Sequence, residues 1–265
     1  MATRIAIGVE YDGSRFLGWQ TQPGGGTVQD ALESALGAIA GGTVALTCAG
    51  RTDRGVHALE QVAHFDAPVP RPLQAWVRGV NALLPDSVAV LWAHAASSEF
   101  HARYSAHSRL YRYVLIERPV RPALAARFAG WSHLPLDEAL MQQAADALRG
   151  EHDFSAFRAA ECQAKSPLRT LREIRIERRG ERIDFVLRAD AFLQHMVRNI
   201  VGTLVYVGQR RQSPGWARAL LESRDRTLAA PTFAAEGLYL ESVEYEARWG
   251  LPQGLRRAIT LPLES

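Results

Sequence analysis

The segment RIAIGVEY, residues 4–11, decides the interpretation of the fold. Its large apolar side chains occupy alternate positions: Ile5, Ile7, Val9 and Tyr11. Alternation with a period of two is typical of a strand that is buried on one face. We therefore expect the chain to begin with a strand, and the elements that follow show what kind of sheet this strand belongs to.

A helix and further strands follow this first strand. Thr27 with Asp30 three residues later is typical of a helix start, and Gly41 with Gly42 indicates where the helix ends. The apolar patterns beyond it predict two strands, near 43–49 and 61–66. They then predict a second helix that begins at Pro72 and a third strand over 87–93. The order of elements in this first part is β-α-β-β-α-β.

The same order recurs after a junction at residues 97–107. The predicted elements are strand 109–117, helix 137–149, strands 170–178 and 182–190, helix 194–207 and strand 237–245. This order is that of the ferredoxin-like arrangement. We expect an α+β protein with two ferredoxin-like halves, residues 1–104 and 105–265, whose antiparallel sheets meet at a central active-site cleft.

Composition and charge limit the classes of function. Hydrophobic residues make up 47% of the chain, and neither a leader pattern nor an apolar run long enough for a membrane span is evident, so we expect a soluble, cytoplasmic protein without a membrane partner. Residues 1–104 carry 7 basic and 9 acidic groups, whereas residues 105–265 carry 24 and 19. All but one of the basic residues are arginines, which suit phosphate recognition, so a nucleic-acid partner is indicated; solvated surface charge is the other explanation.

The segment AGRTDRGVHA, residues 49–58, brackets Asp53 with glycines and two arginines. A carboxylate that acts as a nucleophile or a base must stay ionised, and a neighbouring cation favours the anion. A locally hydrogen-bonded turn would use the same residues, and the sequence chemistry alone leaves both interpretations open.

These segments together resemble the tRNA pseudouridine synthase family of the TruA type. The matching segments follow one another in the family's order: EYDG at 10–13, GWQ at 18–20, GRTDRGVHA at 50–58, FHAR at 100–103, YRY at 111–113, HMVRN at 195–199, DRT at 225–227 and EGLYL at 236–240. The resemblance covers nearly the whole chain. It implies isomerisation of uridine to pseudouridine in tRNA, at positions 38, 39 and 40 of the anticodon stem-loop, by a homodimer.

The resemblance also implies roles for particular residues. Asp53 is the catalytic aspartate, Tyr111 stacks on the target uracil and acts in proton removal, and Arg198 pairs with Asp53. From the residues alone, packing against Tyr113 is the favoured role of Tyr111. Arg198, inside an apolar helix, needs an anion or an acceptor, and a backbone carbonyl or a structural aspartate is the alternative to Asp53. The expected substrate-binding residues are Tyr111, Arg51, Arg54, His57, Arg103 and Leu238. Arg54 departs from the family, which often has a small residue at this position.

No cofactor is expected. The isomerisation involves no redox change, and the sequence carries neither a nucleotide-binding fingerprint nor a metal-ligand spacing. Two alternative functions remain: a pseudouridine synthase for other RNA uridines, and a non-catalytic RNA-binding protein. A glycosidase would need a second catalytic carboxylate at a suitable distance, which the sequence does not identify.

Overall fold

The computed structural model describes residues 3–252, which form two compact units. Among the described residues, the first unit contains 3–107 and 239–252, and the second contains 108–238. The expected second half, 105–265, included the predicted strand 237–245, whereas that segment from Tyr239 onward clusters with the first unit. Residues 253–265 of that expected half lie outside the described part of the chain.

Strands outnumber helices, and each unit is a mixed α and β structure. The strands in chain order are β1 Thr3–Tyr11, β2 Thr47–Cys48, β3 His57–Ala67, β4 Val88–Ala95, β5 Ala106–Glu117, β6 Gly130–Ser132, β7 Gly150–Asp153, β8 Leu168–Arg179, β9 Arg182–Ala189 and β10 Leu238–Tyr245. The α-helices are α1 Val28–Ala40, α2 Glu138–Asp146, α3 Met196–Gly208 and α4 Gly215–Ser223. Among residues 3–252, no helix is both long and apolar enough to span a membrane.

The sheet of the first unit is organised around β3. This strand pairs antiparallel with β1 and β2 and parallel with β10, and β1 pairs antiparallel with β4. Helix α1 begins at the expected position, because Thr27 and Asp30 form a reciprocal capping box. Its buried face, with Leu32 and Leu36 fully buried, contributes to the core of this unit. The helix expected from Pro72 contains a π-helical segment, Ala75–Gly79.

The second unit places β9 between β5 and β8, in antiparallel pairing, with β7 beside β8. Helix α3 is buried along most of its length, in agreement with its apolar sequence. The expectation of purely antiparallel sheets is wrong at two strands, since β10 runs parallel to β3 and β6 runs parallel to β5. Long stretches of chain separate the partners in both pairs, which leaves room for the crossover that parallel pairing requires.

Candidate active site

Asp53 lies in a loop of the first unit between β2 and β3, and the residues on both sides of it are fixed. Its carbonyl accepts the Val56 N–H at 3.1 Å, which closes a turn, and its side chain is half-buried. The preceding Thr52 is buried; its hydroxyl lies 2.7 Å from the Tyr11 hydroxyl, and its carbonyl accepts the Trp19 N–H at 3.0 Å. Tyr11 of β1 and Trp19 in the segment after β1 therefore hold the backbone from which the Asp53 carboxylate extends.

Gln61 on β3 fastens the start of the same loop. Its side chain is fully buried, its Nε2 donates to the Gly50 carbonyl at 2.6 Å, and its Oε1 accepts the Gly50 N–H at 3.3 Å. The Gln61 amide thus pairs with both the N–H and the carbonyl of Gly50, as the backbone of a neighbouring strand would. This role could not be predicted from the sequence, because Gln61 is one polar position within a predicted strand.

Two glycines allow another segment to approach the Asp53 loop closely. A Cβ atom on Gly13 would lie 1.9 Å from the Val56 carbonyl oxygen, and a Cβ atom on Gly18 would lie 2.9 Å from the Thr52 carbonyl oxygen. Gly18 also has a φ of +105°, which side chains rarely adopt. The close approach of the Asp53 loop therefore explains why the EYDG and GWQ segments carry glycine at these two positions, a reason that the sequence alone does not indicate.

His57 follows the loop as the first residue of β3, and it is 2% exposed. Its Nδ1 accepts the Gly13 N–H at 3.1 Å and lies 3.3 Å from Asp12 Oδ1, while its ring stacks on Tyr239 at 4.7 Å between centroids. Nδ1 of His57 therefore lies within hydrogen-bonding distance of the Gly13 N–H and close to the Asp12 carboxylate.

The carboxylate of Asp12 is held in its ionised form. Burial acts to raise the pKa of Asp12, but the contacts with His57 and with Ser14, whose N–H donates to Oδ1 at 2.9 Å, outweigh it. The pKa of Asp12 consequently lies well below its ordinary value. An anion is therefore maintained at the end of β1, beside the segment that supports the Asp53 loop.

The expected substrate-binding residues of the first unit are arranged around this loop in different environments. Arg51 and Arg54 flank Asp53 and are exposed, as is Arg103, so all three guanidinium groups are accessible to a ligand. His57 is buried beneath the loop, where its contacts support the backbone. The first unit thus contains Asp53 and four of the expected binding residues.

Tyr111, Arg198 and Leu238 belong to the second unit. Tyr111 lies on β5 opposite Leu187 of β9, is 8% exposed, and meets the Phe192 ring edge to face at 5.0 Å. This contact with Phe192 is an aromatic packing pair. Leu238 is also buried, at the start of β10.

Arg198 lies in the first turns of α3, and its Nε donates to the Phe233 carbonyl at 2.8 Å. The Phe233 N–H donates in return to the Arg198 carbonyl at 3.3 Å. A backbone carbonyl was one of the partners that the sequence left open for this arginine. The helix begins after His195, whose φ of +63° is unusual for a residue with a side chain.

The side chain next to Arg198 organises a buried polar network that the sequence analysis missed. Asn199 is fully buried; its Nδ2 donates to the Phe157 carbonyl at 2.7 Å, and its Oδ1 accepts from Arg226 Nη2 at 3.0 Å and from the Thr232 hydroxyl at 2.8 Å. Arg226 Nη2 also donates to the Thr232 hydroxyl at 3.1 Å. The network fixes the segment around Phe233 against α3, and the quoted DRT segment was the available signal for it.

No group of three or more histidine, cysteine, aspartate or glutamate side chains suited to a metal ion occurs within residues 3–252. The described site offers a half-buried carboxylate, exposed guanidinium groups and buried aromatic rings. The arrangement suits a polyanionic ligand that approaches a positioned carboxylate.

Comparison with known proteins identifies the family. The family model described as tRNA pseudouridine synthase matches residues 7–105 and 144–246. Proteins named tRNA pseudouridine synthase A are similar over nearly their full lengths: that of Dechloromonas aromatica (strain RCB) is 59% identical over 94% of this chain and 95% of its own, and that of Thiobacillus denitrificans (strain ATCC 25259 / T1) is 57% identical over 96% and 98%. That of Aromatoleum aromaticum (strain DSM 19018 / LMG 30748 / EbN1) is 57% identical over 98% of each chain. The chain belongs to the tRNA pseudouridine synthase family.

Proposed function

We propose that this protein isomerises uridine to pseudouridine in tRNA, with Asp53 as the catalytic carboxylate. The observation that carries the proposal is the Asp53 loop itself, in a chain that matches the tRNA pseudouridine synthase model over most of its length. The loop is fastened by Gln61, Thr52 and the two close-approach glycines, while the Asp53 side chain remains accessible. Such a carboxylate is positioned before the substrate arrives.

The reaction requires a carboxylate but no external oxidant or energy source. The bond between ribose C1′ and uracil N1 breaks, the base rotates, a bond forms between C1′ and C5, and the proton leaves C5 while N1 gains one. Asp53 takes part by attacking C6 of the base, by attacking C1′, or by removing a ribose proton. All three routes need a carboxylate in its ionised form at the position of Asp53.

Tyr111 and Arg198 are proposed to complete the catalytic group. Tyr111 supplies an aromatic face for the target uracil, which must leave its stack to be reached, and it acts in removal of the C5 proton. Arg198 pairs with Asp53 and favours its anion. Its Nε is already used by the Phe233 carbonyl, so in this proposal the pairing with Asp53 uses the terminal nitrogens of the guanidinium group.

The finer features follow from the family resemblance and are part of the proposal. The target uridines are at positions 38, 39 and 40 of the anticodon stem-loop, Arg51, Arg54 and Arg103 contact RNA phosphates, and the protein acts in the cytoplasm as a homodimer. The two halves are ferredoxin-like and contribute jointly to the active site. Isomerisation of other RNA uridines remains the alternative that the residues around Asp53 do not exclude.

The proposal is tested with purified protein and unmodified tRNA transcripts. Pseudouridine is mapped with a chemical adduct that blocks reverse transcription, for the wild type, Asp53→Asn and the exposed control Asp86→Asn. We expect modification in the anticodon arm with the wild type and Asp86→Asn and none with Asp53→Asn. If the wild type binds tRNA but does not modify it, the isomerase proposal is wrong and a non-catalytic RNA-binding protein is the better hypothesis.

A further inference from the structure

An exposed aromatic surface lies in the first unit, in the turn that contains His101 and Tyr104. The Tyr104 side chain is 77% exposed, and its ring lies on the His101 ring with 4.3 Å between centroids and 32° between planes. The guanidinium group of Arg103 lies 5.8 Å from the centre of the Tyr104 ring. We call these three side chains the aromatic turn.

The backbone of the aromatic turn is tightly held. His101 Nδ1 accepts the N–H groups of Arg103 and Tyr104 at 3.2 and 3.3 Å, and the hydroxyl of Tyr245 donates to the Ala102 carbonyl at 2.7 Å. The Ala102 N–H donates to His64 Nδ1 at 3.2 Å. A large ring is therefore exposed on a fixed support, which costs little conformational entropy when a ligand stacks on it.

The preceding residues are also anchored. Arg4 donates to the carbonyls of Ser98 and Phe100 at 2.6 and 2.9 Å and makes two hydrogen bonds to Asp66, at 2.8 and 2.9 Å. Burial and the charge of Arg4 lower the pKa of His101 below its ordinary value. A lowered pKa favours the neutral form of the ring under Tyr104, whereas the guanidinium group of Arg103 is always charged.

The aromatic turn is connected to the Asp53 loop through a shared hydrophobic cluster. Ala49, which begins the loop, and Ala102 are both buried in the cluster that includes Val62 of β3 and Phe100. Burial raises the pKa of the Cys48 thiol, and the charges of Arg51 and Arg103 both act to lower it. The charges of one arginine beside Asp53 and of one arginine in the aromatic turn therefore act on the same thiol.

We propose that the aromatic turn is a nucleobase-stacking subsite for tRNA, in which Tyr104 stacks on an unpaired base and Arg103 contacts an adjoining phosphate. A ring face accepts any base, because every base has a π-face, so the subsite holds the RNA near Asp53 without reading its sequence. The inference rests on the proposed function, since it places the same tRNA substrate on a further surface of the first unit.

The test measures binding separately from turnover. The dissociation constant of an unmodified tRNA transcript is determined by filter binding in an Asp53→Asn background, for Tyr104→Ala, Tyr104→Phe and Tyr206→Ala. Tyr206 is the matched control, because its ring also lies beside an arginine, with Arg211 at 5.2 Å, outside the aromatic turn. We expect Tyr104→Ala to weaken binding roughly 5- to 150-fold, and both Tyr104→Phe and Tyr206→Ala to bind like the Asp53→Asn parent.

The salt dependence distinguishes stacking from charge. Tyr104→Ala should shift the plot of log affinity against log salt concentration downward with an unchanged slope. Arg103→Ala should reduce the slope by about 0.7 to 0.9, the value for the loss of one phosphate contact. Thermal unfolding of each variant checks that the fold is retained. We expect little change for the Tyr104 variants, because this side chain is exposed.

Three results would overturn the subsite. The first is unchanged tRNA affinity in Tyr104→Ala, and the second is an equal loss in Tyr104→Phe, which keeps the ring. The third is a change in sedimentation of Tyr104→Ala without tRNA, which would assign the ring to contact with a second copy of the chain. Failure of the proposed function is recognised separately, because it shows as absence of pseudouridine with the wild type.

Discussion

Substitution of Gly13 by alanine tests whether the close approach of two backbone segments positions Asp53. The added Cβ atom would lie 1.9 Å from the Val56 carbonyl oxygen and 2.5 Å from its carbon, whereas real Cβ contacts stay beyond 3.0 Å. The neighbouring atoms are backbone, so no side chain can rotate away, and the two segments must separate by roughly 1 Å. Val56 closes the turn at Asp53, so this shift reaches the catalytic loop.

The expected cost has two parts. Overpacking of this kind lowers the free energy of unfolding by about 1–3 kcal/mol, which corresponds to a fall in Tm of about 2–12 °C for a chain of this size. A displacement of about 1 Å at a catalytic group reduces the rate on the order of 100-fold. Urea unfolding and single-turnover conversion of a tRNA transcript measure the two parts.

The control for this experiment is Gly42→Ala, because a Cβ atom at Gly42 would meet no other atom within 4 Å. It should leave both stability and turnover close to those of the wild type. Wild-type turnover by a folded Gly13→Ala protein would refute the reasoning that this contact holds Asp53 in place, even if the free energy of unfolding had fallen.

Two further predictions concern buried polar groups. Arg226→Met removes a hydrogen-bond donor from Asn199 Oδ1 and from the Thr232 hydroxyl. We expect the free energy of unfolding in urea to fall by about 1–3 kcal/mol, and kcat to change more than KM. Unchanged stability would contradict the role given to this network. Burial, with smaller contributions from the charges of Arg4 and His101, lowers the pKa of His64 to about 4, whereas an unfolded histidine titrates near 6.5. Between about pH 6.5 and 4 the unfolded chain therefore binds more protons than the folded chain, so the free energy of unfolding should decrease as the pH falls through this window. Urea denaturation at pH 7 and at pH 5 should show a smaller decrease for His64→Gln than for the wild type.

The elements with long apolar patterns could be predicted from the sequence. Helix α1 was expected from Thr27 and Asp30, and helix α3 from its apolar run, and both are present. Strands β6 and β7, of three and four residues, are too short for a pattern to indicate them. The parallel pairing of β10 could not be predicted either, because it depends on which distant strand exposes a free edge.

The candidate site could be predicted where its residues form a local motif. The segment around Asp53 was recognised as a unit, and the structure shows a fixed loop there. Gln61 and Asn199 were missed because their roles depend on contacts with residues that are distant in sequence or on backbone groups. Gly13 was quoted only as part of a matching segment, since the atom that excludes a side chain there belongs to Val56.

The proposed reaction depends on the Asp53 carboxylate, and release of tritium from tRNA labelled at uracil C5 measures that reaction directly. The C5 proton leaves whenever pseudouridine forms, at whichever position of the tRNA the uridine lies. We expect tritium release by the wild type and by Asp86→Asn, and none above background by Asp53→Asn, although the latter variant should be folded and bind tRNA. Release by Asp53→Asn at the wild-type rate would contradict the assignment of Asp53, and no release by the wild type would contradict the isomerase.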